Sequence, residues 1–146
     1  MLFIRGDKLN DKQMNFLYKL HRKVYDYTEL FDIFKSSLKN FYVLVDDANS
    51  VNVNILGYVN VELIKNTLKI IWIYGPGYGK MIMANIEHHF KQKKVKKIVL
   101  NCSVDPTEKK ETVLRRLNFY IKMQYRVTNI TFRDKHGLLL FMEKQF

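Results

Sequence analysis

Three glycines and a proline crowd into Gly75-Pro76-Gly77-Tyr78-Gly79, between the apolar run Leu68–Tyr74 and a stretch of helical periodicity. Glycine admits positive φ and lets the backbone approach a ligand closely, and the amides that open a helix carry partial positive charge. A strand, a glycine loop and a helix in that order form an anion site suited to a pyrophosphate. The plain alternative is a tight strand-to-helix turn, for which one glycine would suffice. Neither common nucleotide spacing fits. GxxxxGK[ST] fails because the fifth residue after Gly75 is Lys80, and GxGxxG fails because Gly79 follows Gly77 by two residues instead of three. Cys102 ends the apolar run Lys97–Cys102 and reads as a buried strand cysteine rather than a nucleophile. His21, His88, His89 and His136 lack finger or HExxH spacing, so no metal is expected. His21, between Leu17 and Val24 at helical spacing, reads as a core-edge residue, and the other three read as surface groups.

The elements that must position the glycine loop follow from patterning. Leu2–Arg5 is a short strand, and Asn10 with Gln13 opens a helix to about Tyr25. Thr28 is placed to cap a second helix, with Leu30, Phe31, Phe34 and Leu38 on one face, ending near Asn40. Two antiparallel strands follow. The first is Phe41–Val45, closed by the polar stretch Asp46–Ser50, and the second is Ile55–Ile64, with Val59, Val61 and Leu63 alternating against Tyr58, Asn60 and Glu62. Asn66-Thr67 turns the chain into Leu68–Tyr74, whose apolar continuity fits a strand covered on both faces. A helix from Lys80 to about Lys94 and the strand Lys97–Cys102 complete a parallel crossover. Asp105, Pro106 and Glu108 form an expected cap, first helical residue and returning side chain for a helix to about Gln124. Tyr125–Phe132 and Leu138–Met142 then make a hairpin around Arg133–Gly137. The expected fold is α/β, a mixed central sheet in the order β-α-α-β-β-β-α-β-α-β-β, forming a single domain over residues 1–146.

The segment Tyr74-Gly-Pro-Gly77-Tyr-Gly79 resembles the coenzyme A loop of the GNAT superfamily of N-acetyltransferases, whose pattern is Gln/Arg-x-x-Gly-x-Gly/Ala, with Tyr74 in place of the Gln or Arg. Phe119-Tyr-Ile-Lys-Met-Gln-Tyr125 is similar to that family's Leu-Tyr-Glu-Lys-x-Gly-Phe, with Gln124 in place of the glycine, and Val113 stands where the family has an asparagine. The element order is also the family's, over essentially the whole chain. The resemblance implies acetyl-CoA as acyl donor and backbone contacts from Gly75, Gly77, Tyr78, Gly79 and Lys80, at the end of the strand that supplies Ile73 and Tyr74.

Acetyl transfer from a thioester to an amine needs a neutral amine, a polarised carbonyl and a proton for the departing thiolate. The resemblance implies Tyr120 as the proton donor; a packed aromatic with an exposed hydroxyl is the alternative. Leu68–Tyr74 holds no carboxylate, so Glu62 on the neighbouring strand is the substitute base, with a solvated strand carboxylate as the alternative. The resemblance implies that the acceptor enters beside the link between the first two helices and the last hairpin loop. Tyr25, Asp26, Tyr27, Glu29 and His136 lie there: Asp26 and Glu29 suit a cationic amine, and the tyrosines suit its aliphatic part.

Composition bounds these readings. The 146 residues, 47% hydrophobic and 27% charged, fit one globular domain, and the lone Cys102 excludes an internal disulfide. Twenty-five lysines and arginines against 14 acids give a charge of +11 and point to an anionic partner. Lys91-Gln-Lys-Lys-Val-Lys-Lys97 is the densest basic run; it complements a helix C-terminus, and without interleaved aromatics it is not read as a nucleic-acid footprint. The longest apolar run, Ile70–Tyr74, is far below the roughly 20 residues of a membrane span, and Met1–Arg5 is too short for a signal peptide. Taken with the resemblance, the expectation is a cytoplasmic, or nuclear, N-acetyltransferase acting on a primary amine by direct transfer in a ternary complex, as a monomer or homodimer, with no membrane or nucleic-acid partner. The alternative is a non-catalytic module of the same fold that senses CoA or binds nucleic acid or protein through its basic surface.

Overall fold

A computed structural model describes residues 1–46 and 54–146. The elements are β1 (Leu2–Arg5), α1 (Asp11–Tyr25), α2 (Phe31–Ser36), β2 (Phe41–Val45), β3 (Ile55–Ile64), β4 (Thr67–Tyr74), α3 (Gly79–Gln92), β5 (Lys97–Val104), α4 (Lys110–Lys122), β6 (Arg126–Phe132) and β7 (Leu138–Gln145). This is the expected α/β order. The seven strands run β1-β2-β3-β4-β5-β7-β6, with β4 and β5 parallel. Of the turn expected after β2, Asp46 donates its N–H to the Asn54 carbonyl at 2.9 Å, and the rest lies outside the described residues.

Residues 1–61 with 72–88 form one compact unit, and residues 62–71 with 89–146 form another. In the first, Leu17 of α1, Phe34 of α2 and Leu38 pack with Phe41, Val43, Val45 and Tyr58 of the strands. The second is built on Leu68 and Ile70 of β4, Ile98, Leu100 and Cys102 of β5, and Leu140 and Met142 of β7, with Phe90, Val113 and Tyr120 also buried.

Helix α1 opens on the expected capping box: Asn10 Oδ1 accepts from the Gln13 N–H at 2.8 Å, and Gln13 Oε1 accepts from the Asn10 N–H at 2.9 Å. Other ends depart from expectation for local reasons. Thr28 caps nothing; α2 starts after Leu30 and stops at Ser36, where the hydroxyls of Ser36 and Ser37 donate to the Ile33 and Phe34 carbonyls at 2.6 and 2.7 Å and compete with the helical ladder. A 3₁₀ turn, Leu38–Asn40, completes the segment. Asp105 accepts from the Thr107 N–H at 2.8 Å, but the Glu108 carboxylate is bound by Arg116, so the expected box does not form and α4 begins at Lys110 with no side-chain cap. The alternation expected in β3 is also absent: Gly57–Val61 are all buried, Gly57 facing Ile82 and Tyr58 facing His21, and exposure begins at Glu62.

Candidate active site

The glycine loop is a reverse turn feeding a helix. The Gly75 carbonyl accepts from the Tyr78 N–H at 2.8 Å, Pro76 holds the second position, and Gly77 holds the third with φ +81°. Proline followed by a positive-φ residue is the type II arrangement. A Cβ added to Gly77 would meet nothing within 4 Å, so the glycine is required by the backbone angle and leaves open space on that side. The Tyr78 carbonyl accepts from the Ile82 N–H at 3.0 Å. The amides of Gly79, Lys80 and Met81 therefore precede the first intrahelical donor, which is where helix dipole and donor groups favour an anion. These features fit a phosphate-bearing cofactor.

The loop is seated on Gly57, which the sequence reading did not single out. A Cβ there would stand 2.6 Å from the Tyr74 carbonyl oxygen and 2.8 Å from Gly75 Cα. Backbone thus packs on backbone between β3 and the start of the loop, with the Ile82 side chain against both glycines. An isolated glycine inside a strand pattern was the available signal for such an approach.

On the same unit, the link after α1 reaches the end of β4. The Tyr25 hydroxyl donates to the Ile73 carbonyl, joining an expected acceptor residue to an expected cofactor residue. Asp26 ends α1 with φ 51°, and the Glu29 carbonyl accepts from the Tyr18 hydroxyl at 2.7 Å. Behind them, His21 is 0% exposed and sits among Tyr25, Tyr27, Phe34, Phe41, Tyr58 and Trp72; the rings of Tyr27 and Trp72 are each 4.7 Å from its own. Its Nδ1 lies 2.8 Å from the Tyr58 hydroxyl, and its Nε2 has no partner among the described residues. Burial depresses its pKa to about 4, so the ring is neutral at pH 7, and burial likewise pushes the phenols of Tyr58 and Tyr27 up. His21 is thus a core residue rather than one at the core edge. The Tyr74 ring, 6.0 Å from that of Tyr58, joins the loop end to this cluster.

The remaining expected residues belong to the second unit. Tyr120 is buried in α4, its ring 5.2 Å from that of Phe119 and 6.0 Å from that of Tyr125. Glu62 is exposed, three residues before the turn at Lys65, while Tyr58 and Asn60, expected to share its face, are buried in the first unit. His136 is exposed in the 3₁₀ turn Asp134–His136. Cys102 is buried and its thiol is pushed up by burial, the opposite of an activated thiolate. The link between β5 and α4 is held by Arg116, which donates to the Ser103 carbonyl at 3.0 Å and to both carboxylate oxygens of Glu108; Arg133 donates to Ser103 Oγ at 3.0 Å. No sequence signal marks this clamp, since Arg116 follows Glu108 by eight residues and no motif joins the pair. Among the described residues, the parallel ladder of β4 and β5 covers Thr67–Lys69 against Lys97–Val99, whereas β5 stays paired with β7 through Val104. No group of three or more His, Cys, Asp or Glu is placed to hold a metal among the described residues.

No protein-family model and no curated protein matches the sequence. Solved structures match the fold over nearly the whole chain. The NatC complex bound to Gag peptide and CoA contains a chain with a TM-score of 0.72 at 14% identity, covering 99% of this chain and 98% of that one. The aminoglycoside 6'-N-acetyltransferase from Enterococcus faecium gives 0.72 at 12% identity, with 99% and 97% covered. PaiA N-acetyltransferase from Thermoplasma acidophilum in complex with coenzyme A gives 0.67 at 16% identity, with 100% of both chains covered. The chain has the fold of the GNAT N-acetyltransferases.

Proposed function

We propose that this protein is an acetyl-CoA-dependent N-acetyltransferase that acts on a primary amine by direct transfer in a ternary complex. The observation that carries the reading is the type II turn at Gly75–Tyr78, open beside Gly77 and followed by the leading amides of α3. Solved proteins of the same fold hold CoA, which supports the same use of the loop here. Gly75, Gly77, Gly79 and Lys80 would hold the pyrophosphate through their backbone, next to Ile73 and Tyr74, whereas the N–H of Tyr78, also expected there, donates to the Gly75 carbonyl in the turn. Bound there, the cofactor supplies an acetyl group on a thioester whose sulfur leaves needing one proton.

The chain's own residues then have three tasks. Tyr120 holds a phenolic proton for the sulfur, a weak acid suited to a thiolate of similar basicity. Glu62 receives the proton that the amine gives up, through water. Tyr25, Asp26, Tyr27 and Glu29, with His136, receive the acceptor: the carboxylates attract a cationic amine, and the rings pack on its carbon chain. The Tyr25 bond to Ile73 supports this grouping, because it holds the acceptor link against the strand that leads into the cofactor loop.

The test is a calorimetric titration of the purified protein with acetyl-CoA, followed by an acceptor panel of small amines and peptides scored by CoA release. Saturable binding and release with at least one amine are expected. Binding without release from any acceptor would favour the CoA-sensing reading, and absence of binding would remove both the enzyme and the sensor and leave the basic-surface binding module.

A further inference from the structure

The two units carry charge very unequally. Residues 62–71 with 89–146 hold sixteen lysines and arginines against six acids, a net +10, whereas residues 1–61 with 72–88 hold nine against eight, a net +1. Backbone contacts gather much of that excess at one end of the second unit. The Lys96 N–H donates to the Asn66 carbonyl at 2.8 Å, directly after Lys65, and the Lys96 carbonyl accepts from the Phe146 N–H at 2.9 Å. Lys97 is in register with Thr67 on one side and Gln145 on the other. The turn between β3 and β4, the link between α3 and β5, and the end of β7 therefore converge, bringing together Lys65, Lys93, Lys94, Lys96 and the half-buried Lys144, whose Nζ lies 5.9 Å from the centre of the Tyr125 ring. A shallow cavity lined by Gln124, Arg126, Glu143, Lys144 and Gln145 extends this end to the start of β6.

Two acids lie on these segments. Glu143 is engaged by Arg126 at 3.1 Å and Lys97 at 3.8 Å, and Glu62 stands three residues before Lys65. The same end exposes apolar side chains: Leu63 at 51% and Ile64 at 53%, immediately before Lys65, and Phe146 at 41%. Lysines attract any phosphate, but phosphates of a nucleic acid give Leu63 and Ile64 nothing to bury into. The core of a protein interface is poor in lysine and anchored by arginine, tryptophan or tyrosine. Lysines beside exposed aliphatic groups are the combination that binds a bilayer surface, through headgroup charge and shallow apolar insertion.

We propose that this end of the second unit docks peripherally on an anionic phospholipid surface, the end of β3 inserting edge-on with Leu63 and Ile64 on its two faces, and the lysines around them contacting headgroup phosphates. No helix among the described residues is long and apolar enough to cross a membrane, so the contact is with the surface. The inference does not rest on acetyl transfer, although Glu62, the proposed base, directly precedes Leu63 on the same segment.

Flotation of the full chain with vesicles tests it. Vesicles of phosphatidylcholine mixed with phosphatidylserine should carry the protein, and pure phosphatidylcholine should not. Lys65→Gln/Lys94→Gln/Lys96→Gln should weaken binding by about fivefold per lysine, about 100-fold in all. Lys93→Gln/Lys144→Gln is a second, independent set, and a melting curve at the wild-type temperature certifies each fold. Leu63→Ser/Ile64→Ser should remove the part of the binding that survives high salt. The proposal is overturned by equal binding to neutral vesicles, by correctly folded lysine variants that bind as wild type, or by tight capture of duplex RNA at physiological salt without binding to the anionic vesicles, which would assign the lysines to nucleic acid.

Discussion

Acidification should cost this protein stability well above the pH at which its carboxylates titrate, and His21 sets the size of the effect. In the folded protein the ring is enclosed by six aromatic residues and its pKa falls from the ordinary 6.5 to about 4 because burial penalises the cation. The folded pKa lies below the unfolded one, so the unfolded chain binds the extra proton first. His21 therefore costs nothing above pH 6.5, and stability declines progressively as pH falls from 6.5 to about 4. The gap corresponds to about 3 kcal/mol, a large share of the 5–15 kcal/mol typical of a domain. The carboxylates with shifted pKa act lower on the scale. Asp7, Asp105 and Glu143 are held below the usual carboxylate range by hydrogen bonds from Arg5, the Thr107 amide and Arg126, so their contributions are lost only as pH falls through those lowered values. The assay is urea denaturation of wild type and His21→Gln at steps from pH 7.5 to 4.5, read as the difference in unfolding free energy. Wild type should lose about 2 to 3 kcal/mol relative to the variant over that interval. Parallel profiles would mean that the buried imidazole does not resist protonation, and the description of the aromatic enclosure would be wrong.

Three further outcomes are expected. Gly77→Ala should destabilise the fold by only about 1 to 2 kcal/mol, because its cost is the positive φ and not a clash, yet acetyl-CoA affinity should fall about 100-fold or more by calorimetry; Gly75→Ala, whose Cβ meets the movable tip of Ile82, serves as the comparison that keeps the open side clear. Tyr120→Phe should bind acetyl-CoA nearly as wild type while kcat falls about 100-fold in a CoA-release assay, and an unchanged kcat would make Tyr120 a packing residue. Gln124→Gly should raise the thermal midpoint by relieving a left-handed residue at φ 73°, a gain of about 0.5 to 1 kcal/mol, and no gain would show that the Gln124 side chain compensates for its backbone.

Where local signals and tertiary packing agree, the elements follow the residues closely. β1, α1 with its capping box, β2 and β3 occupy the expected spans, and the clustered glycines mark a real turn at the mouth of a helix. The failures share a cause, which is competition from partners that spacing does not reveal. Ser36 and Ser37 bond back to carbonyls and end α2 early, and Arg116 draws Glu108 away from the cap of α4. α3 and α4 end within two residues of the expected positions, but the form of those ends leaves no mark in the residue pattern. Val95 N–H reaches Phe90 and Tyr125 N–H reaches Tyr120, the Schellman pattern, with Lys94 and Gln124 rather than glycine in the left-handed position. The candidate site divides the same way. Backbone chemistry at Gly75–Gly79 is written in glycine and proline, whereas Gly57 beneath the loop, the Tyr25 bond to Ile73 and the His21–Tyr58 pair join residues far apart in the chain and emerge only on folding.

That division also accounts for a fold shared with solved acetyltransferases at 12–16% identity in a sequence that no family model matches. The resemblance drawn from the sequence has Gln or Arg before the glycines, glycine at the end of the last long helix and asparagine within it, and Tyr74, Gln124 and Val113 depart from all three. None of those positions is required for the turn. The type II geometry needs proline or a tolerant residue at position 76, positive φ at 77 and a helix that starts at 79, and the bonds that close it are main-chain bonds. The left-handed residue that ends α4 is likewise demanded by the Schellman bonds, and glutamine supplies it at a cost of about 1 kcal/mol, small enough for packing of Tyr120 and Tyr125 to offset. Side-chain identity can drift wherever the backbone does the work, while the few constraints that remain fall on glycines whose spacing is too short to identify a family alone.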